Sequence, residues 1–112
     1  MFSPIDVYLN DTNVFQPDIV FISKERLHII DWNKGIMGAP ELVVEILSKG
    51  NKNDDLNRKK KVYEQTGVNE YWLVDPLTKW CEGFILENKV YKSLGEGNGL
   101  FTIKMFNLPI SF

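Results

Sequence analysis

Three stretches decide how this chain reads: PDIVFI (residues 17–22), ELVVEILS (residues 41–48) and DLNRKKKVY (residues 55–63). The first is an apolar strand with Asp18 at its head. The second is a nearly continuous apolar run interrupted by Glu45, as expected of a strand buried on both faces. The third is helical in pattern and places a lysine among its apolar positions. A carboxylate inside an apolar run is normally buried, and burying it without a partner is costly. A bound cation is one common compensation.

The helix can be read by angle, at about 100° per residue. With Leu56 at zero, Tyr63 falls near about 340° and Val62 near about 240°, so the apolar stripe centres near about 320°. Lys59 falls near about 300°, inside that stripe, and Asp55 near about 260°, on its margin. Lys60 is marginal and Lys61 faces water. The Lys59 stem can pack, but its ammonium needs an acceptor. Asp55, one turn earlier, is one candidate. Glu45 is another, and such a pair would need no metal. Asp18 has a plain alternative too, since an Asp after Pro often accepts backbone N–H bonds in a turn. Taken together, two carboxylates and a lysine at one sheet edge can hold Mg²⁺ and activate water for attack on a phosphate.

Working outward, residues 7–9 form a short strand, and Pro17 suits the start of the strand at 18–22. Residues 33–40 hold two glycines and a proline and read as a loop. The helix starts at Asp54 or Asp55, runs to about Thr66 and is stopped by Gly67. Residues 71–74 are a strand, 79–86 and 89–93 a hairpin, and 100–105 a last strand. The GEGNG stretch (residues 95–99) reads as a turn, because no helix follows it to make a phosphate loop. His28 reads as a packed or surface residue, and Trp32, Trp72 and Trp80 as core or rim packing. The class is α/β (α+β): a mixed central sheet with one main helix on its face and a C-terminal antiparallel hairpin.

At 112 residues this is a single domain. The net charge of −2 makes the whole chain no general glue for nucleic acid. Lys49, Lys52, Arg58, Lys59, Lys60 and Lys61 nevertheless fall in one short segment, a local basic patch. The single cysteine, Cys81, allows no intrachain disulfide and fits a reducing cytosol. No run reaches the ~18 apolar residues of a membrane span.

On these blocks the chain resembles the Uma2 family, also described as DUF820 restriction-endonuclease-like proteins, within the PD-(D/E)XK nuclease superfamily. The matching blocks are QPDIVFI (16–22), GAPELVVEILS (38–48), the helix pattern Asp55, Lys59, Tyr63, Gly67, and GVNEYWLVDP (67–76). The resemblance implies a restriction-endonuclease-like core using Mg²⁺ or Mn²⁺ to hydrolyse phosphodiester bonds in DNA. It makes Asp18 the Asp of the PD motif, Glu45 the strand glutamate and the Ile46 carbonyl a further metal ligand. The superfamily's usual lysine position holds Leu47, as in Uma2 proteins, and Lys59 is its replacement. Asp55 and Tyr63 would support the site. Lys49, Lys52, Arg58 and Lys60 would contact the nucleic-acid backbone. Family members carry an N-terminal segment with a helix before the block matching Pro4, and that segment is expected to be missing here. The alternative on the same fold is an inactive module for binding DNA or protein. A homodimer through apolar strand edges and the 80–86 hairpin belongs to that alternative.

Overall fold

The computed structural model describes residues 5–48 and 53–112, and the side chains from Asp55 onward in the helix. Its centre is a five-stranded mixed sheet. Five short strands come first in the chain, and the third of them belongs to this sheet: β1 (Val7–Tyr8), β2 (Val14–Phe15), β3 (Ile19–Phe21), β4 (Ile30–Asp31) and β5 (Gly35–Met37). A 3₁₀ helix, Lys24–Ile29, lies between β3 and β4. Then come β6 (Leu42–Ile46), α1 (Asn53–Thr66), β7 (Glu70–Val74), β8 (Trp80–Glu87), β9 (Val90–Asn98), β10 (Leu100–Ile103) and β11 (Leu108–Ser111). The central sheet has the order β3-β6-β7-β8-β9. β6 and β7 are parallel and joined through α1, while the other neighbours run antiparallel. A parallel pair needs such a crossover, so the short polar stretch after β6 must lead into a helix.

Side-chain alternation divides the molecule into two cores. Val43, Tyr71, Leu73 and Phe84 face Val62 and Tyr63 of α1 and Val7, Phe15 and Ile36 of the small sheet β2-β1-β5-β4. Leu42, Val44, Trp72, Val74 and Cys81 face Phe101 and Ile103 of the β10–β11 hairpin on the other side. Gly83 makes room on that second face, since a Cβ there would run into the Trp72 ring.

The mixed sheet, the one α-helix among the described residues and the C-terminal hairpin agree with the sequence reading. Three local readings change. The expected last strand 100–105 ends at Ile103, and a 3₁₀ turn over Lys104–Phe106 leads into a further strand, β11. The expected loop 33–40 contains β5, which pairs with β1 and β4. The expected turn 95–99 is mostly strand. Gly95 to Asn98 continue β9 past a bulge opposite Gly83 and Phe84, and Gly95 takes φ +103°, which glycine adopts without strain. β8, the expected interface strand, is paired on both sides, so the outer edge of this sheet is β9. Trp72 packs in the core, but Trp32 is 75% exposed rather than part of a core or rim.

Candidate active site

β6 carries the site. Leu42, Val43 and Val44 are buried and β-branched or branched aliphatic, which suits a central strand. Glu45 continues the strand and is 5% exposed, on the face toward α1. Its Oε2 accepts a hydrogen bond from the Tyr63 hydroxyl at 2.6 Å. The Lys59 ammonium lies 3.6 Å from the same oxygen. Tyr63 and Lys59 are four residues apart on α1, so they share one helix face and meet the same strand residue. The inward position of Lys59 expected from its helical angle is the observed one. Of its two candidate acceptors, the structure selects Glu45. Asp55 instead pairs with Arg58 at 3.6 Å, so its expected supporting role at the site is not seen.

Asp18 arrives from the neighbouring strand. The register pairs Ile19 with Val44, and one step further along the same ladder sets Asp18 opposite Glu45. Asp18 is exposed while Glu45 is buried. Asp18 Oδ2 accepts the Ile46 N–H at 2.7 Å. The plain alternative for Asp18 is thus half realised: it does accept a backbone N–H, but across the sheet rather than in its own turn. The bond leaves most of the carboxylate's acceptor capacity open. It also ties the two acids to one corner. A strand residue's N–H and C=O point to the same side, so the Ile46 carbonyl faces the Asp18 edge as well.

Among the described residues, this corner sets two carboxylates, Asp18 and Glu45, near one ammonium, that of Lys59. Burial pushes the Glu45 carboxyl above the ordinary glutamate value. The Tyr63 hydroxyl and the Lys59 ammonium pull it back, and the negative charge of Asp18 adds to the rise. Tyr63 is raised by burial and by Glu45, and Tyr71 likewise, so both hydroxyls keep their protons. The donor set is two carboxylates and one carbonyl, all hard oxygen ligands of the kind Mg²⁺ takes. Among the described residues no group of three or more Asp, Glu, His and Cys side chains comes together. Mg²⁺ commonly keeps several waters, so two carboxylates fit it. One buried polar atom among the described residues, the Tyr71 hydroxyl, has no partner.

The expected nucleic-acid contacts divide. Lys49 and Lys52 lie outside the described residues. Arg58 is exposed, stacks over Phe15 at 5.1 Å from the ring centroid and donates to Asn13 Oδ1 at 3.3 Å. The Lys60 ammonium sits 4.0 Å above the Phe84 ring. The sequence reading missed Glu70, which is fully buried at the head of β7. It accepts hydrogen bonds from Trp72 Nε1 at 2.7 Å and from the backbone N–H groups of Lys104 at 2.7 Å and Met105 at 3.0 Å. Only its place in the chain, one residue before an apolar run, hinted at burial.

This arrangement defines a restriction-endonuclease-like fold. A crystal structure described as a putative nuclease belonging to DUF820, from Anabaena variabilis, superposes with a TM-score of 0.72 at 21% identity, covering 98% of this chain and 63% of that one. The family model Uma2, described as "Putative restriction endonuclease", matches residues 1–103, and the chain belongs to that family. A stretch of 78 residues, 70% of the chain, is 33% identical to Mediator of RNA polymerase II transcription subunit 21 of Scheffersomyces stipitis and covers 44% of it. The chain therefore spans less than two thirds of either protein. No helix among the described residues is long and apolar enough to cross a membrane.

Proposed function

We propose that this domain hydrolyses phosphodiester bonds in DNA with Mg²⁺ or Mn²⁺, in the cytoplasm. The observation that carries the reading is the corner built by Asp18, Glu45 and Lys59: two facing carboxylates, one of them buried, with an ammonium 3.6 Å from the buried one. Asp18, Glu45 and the Ile46 carbonyl would hold the cation. The chemistry such a cation would supply there is Lewis acidity toward the scissile phosphate and a lowered pKa for a bound water. Tyr63 fixes the Glu45 carboxylate through its hydrogen bond. Lys59, paired with Glu45 in this structure, would orient the attacking water or stabilise charge developing on the phosphate. Arg58 and Lys60, with Lys49 and Lys52, contact the backbone, which sets position rather than sequence.

The test is Mg²⁺-dependent nicking of supercoiled plasmid, with DNA binding measured beside it. Asp18→Ala should abolish nicking and leave most binding in place. Binding should weaken steeply with salt through counterion release. Replacing Lys52 and Lys60 by Ala should flatten that salt slope by about one unit per lost phosphate contact. A protein that binds DNA but never cuts, across metals and substrates, would be the inactive binding module instead. That outcome would sink the catalytic reading and leave the fold untouched.

A further inference from the structure

Tyr71 is fully buried, and its hydroxyl is unpartnered among the described residues. A buried hydroxyl without a partner is rare and carries most of its desolvation cost. Its surroundings show what could satisfy it. Tyr71 pairs with Val43, and Leu73 pairs with Glu45, so Tyr71 stands diagonal to Glu45 on the adjacent strand. Residues two apart on a strand share a face, which puts Tyr71 and Glu45 on the side toward α1. Diagonal neighbours on paired strands lie within reach of long side chains. The Tyr71 ring is 5.1 Å, centroid to centroid, from that of Tyr63, which already donates to Glu45. The described contacts to Glu45, from Tyr63 and Lys59, both fall on Oε2. A carboxylate has acceptor capacity for several donors, so Oε1 is left with room for one more.

We propose that Tyr71 is a second positioning residue for the Glu45 carboxylate, donating to Oε1 through one buried water. Tyr63 and Tyr71 would then hold the two oxygens from two different elements, α1 and β7. That fixes the plane of the carboxylate independently of Lys59, which can leave without Glu45 turning. The consequence for metal affinity rests on the reading of Glu45 as a metal ligand; the hydrogen bond itself does not.

The experiment compares wild type, Tyr71→Phe and Tyr91→Phe. Tyr91 serves as the control, because its hydroxyl donates to the Val68 carbonyl and not to Glu45. A high-resolution crystal structure should place Tyr71 Oη within roughly 3 Å of a water shared with Glu45 Oε1. Tyr71→Phe should lower the melting temperature by about 4 °C or more, as loss of a net-favourable hydrogen bond does in a domain of this size. It should weaken Mn²⁺ binding by roughly tenfold or more, the usual cost of losing a group that orients a ligand. Tyr91→Phe should lower the melting temperature and leave Mn²⁺ affinity alone. An equal or higher melting temperature for Tyr71→Phe, with no water at the hydroxyl, overturns the proposal. So does unchanged Mn²⁺ affinity in a variant of a wild type that binds it. If wild type binds no Mn²⁺, the metal reading fails, and the crystallographic and thermal results still decide the role of Tyr71.

Discussion

Glu45 and Glu70 are both buried carboxylates on adjacent strands of one sheet, and they are satisfied in opposite ways. Glu70 faces the β10–β11 side and accepts three N–H bonds, from Trp72 Nε1, Lys104 N and Met105 N. Two of these belong to the start of the 3₁₀ turn Lys104–Phe106, so the carboxylate fastens that turn to β7. Glu45 faces α1 and has one hydroxyl donor and one ammonium at the long distance of 3.6 Å. Burial is nearly equal. The difference lies in the supply of donors. A carboxylate surrounded by fixed N–H groups is a structural fastener with little capacity left. One held by a hydroxyl and a movable lysine keeps acceptor capacity for a cation.

The comparison breaks most readily at Glu70. Glu70→Ala would leave three donors, the Trp72 Nε1–H buried and the Lys104 and Met105 N–H groups part-buried, without this acceptor and detach the hairpin. A loss of about 3–5 kcal/mol is expected, the usual cost of breaking a buried charged network, read as a shift in urea midpoint. The same variant should leave any metal-induced rise in melting temperature in place if it remains folded. A loss below about 1 kcal/mol would mean the three bonds do not fasten the hairpin.

Lys59→Met should cost less, about 1–2 kcal/mol at pH 7, because it strands the buried Glu45 charge while keeping an apolar side chain in place of the lysine, whose ammonium lies 5.8 Å from the Phe15 ring centroid. Millimolar Mg²⁺ should recover much of that loss, since a ligand bound only to the native state stabilises it. If Mg²⁺ stabilises wild type and fails to help Lys59→Met, the lysine would be part of the cation site rather than its stand-in.

Glu45→Gln sharpens the contrast through pH. Burial raises the folded-state value of Glu45 above the unfolded one, so the folded protein takes up its proton more readily. The stability this gives is complete below the unfolded value, near 4.5, and disappears as pH rises through the folded value. Wild type should therefore lose stability relative to Glu45→Gln as pH rises from 4 toward 7. Parallel stability curves for the two proteins across that window would contradict it. At the small end, Lys61→Ala changes an exposed side chain on the solvent face of α1 and should stay within about 0.5 kcal/mol.

Much of the Glu45 corner was legible before any coordinates. An acid in a β-branched run announces burial, and the helical angle places Lys59 beneath it, because both depend on local periodicity. Glu70 was not legible, since two of its three donors come from residues 34 and 35 positions away. Nothing around Asn69 and Glu70 signals that a turn so distant will dock there. β5 was missed for a related reason. Gly35 and Gly38 read as loop residues, yet Gly35 is needed where its backbone passes the Asp6 carbonyl too closely for any Cβ. β9 was read short because its glycines resemble a turn, when Gly95 is the left-handed residue of a bulge that lets the strand go on. Close approach and docking are properties of two segments, and a single segment does not carry them.

The central claim is that the Asp18–Glu45 corner takes a divalent cation in place of the Lys59 ammonium. Anomalous diffraction from crystals soaked in millimolar Mn²⁺ tests it most directly. The account predicts one strong peak with the Asp18 and Glu45 carboxylates and the Ile46 carbonyl at roughly 2.0–2.6 Å, and Lys59 drawn back from Glu45. No peak at that corner, with Lys59 still against Glu45 at tens of millimolar Mn²⁺, would contradict it.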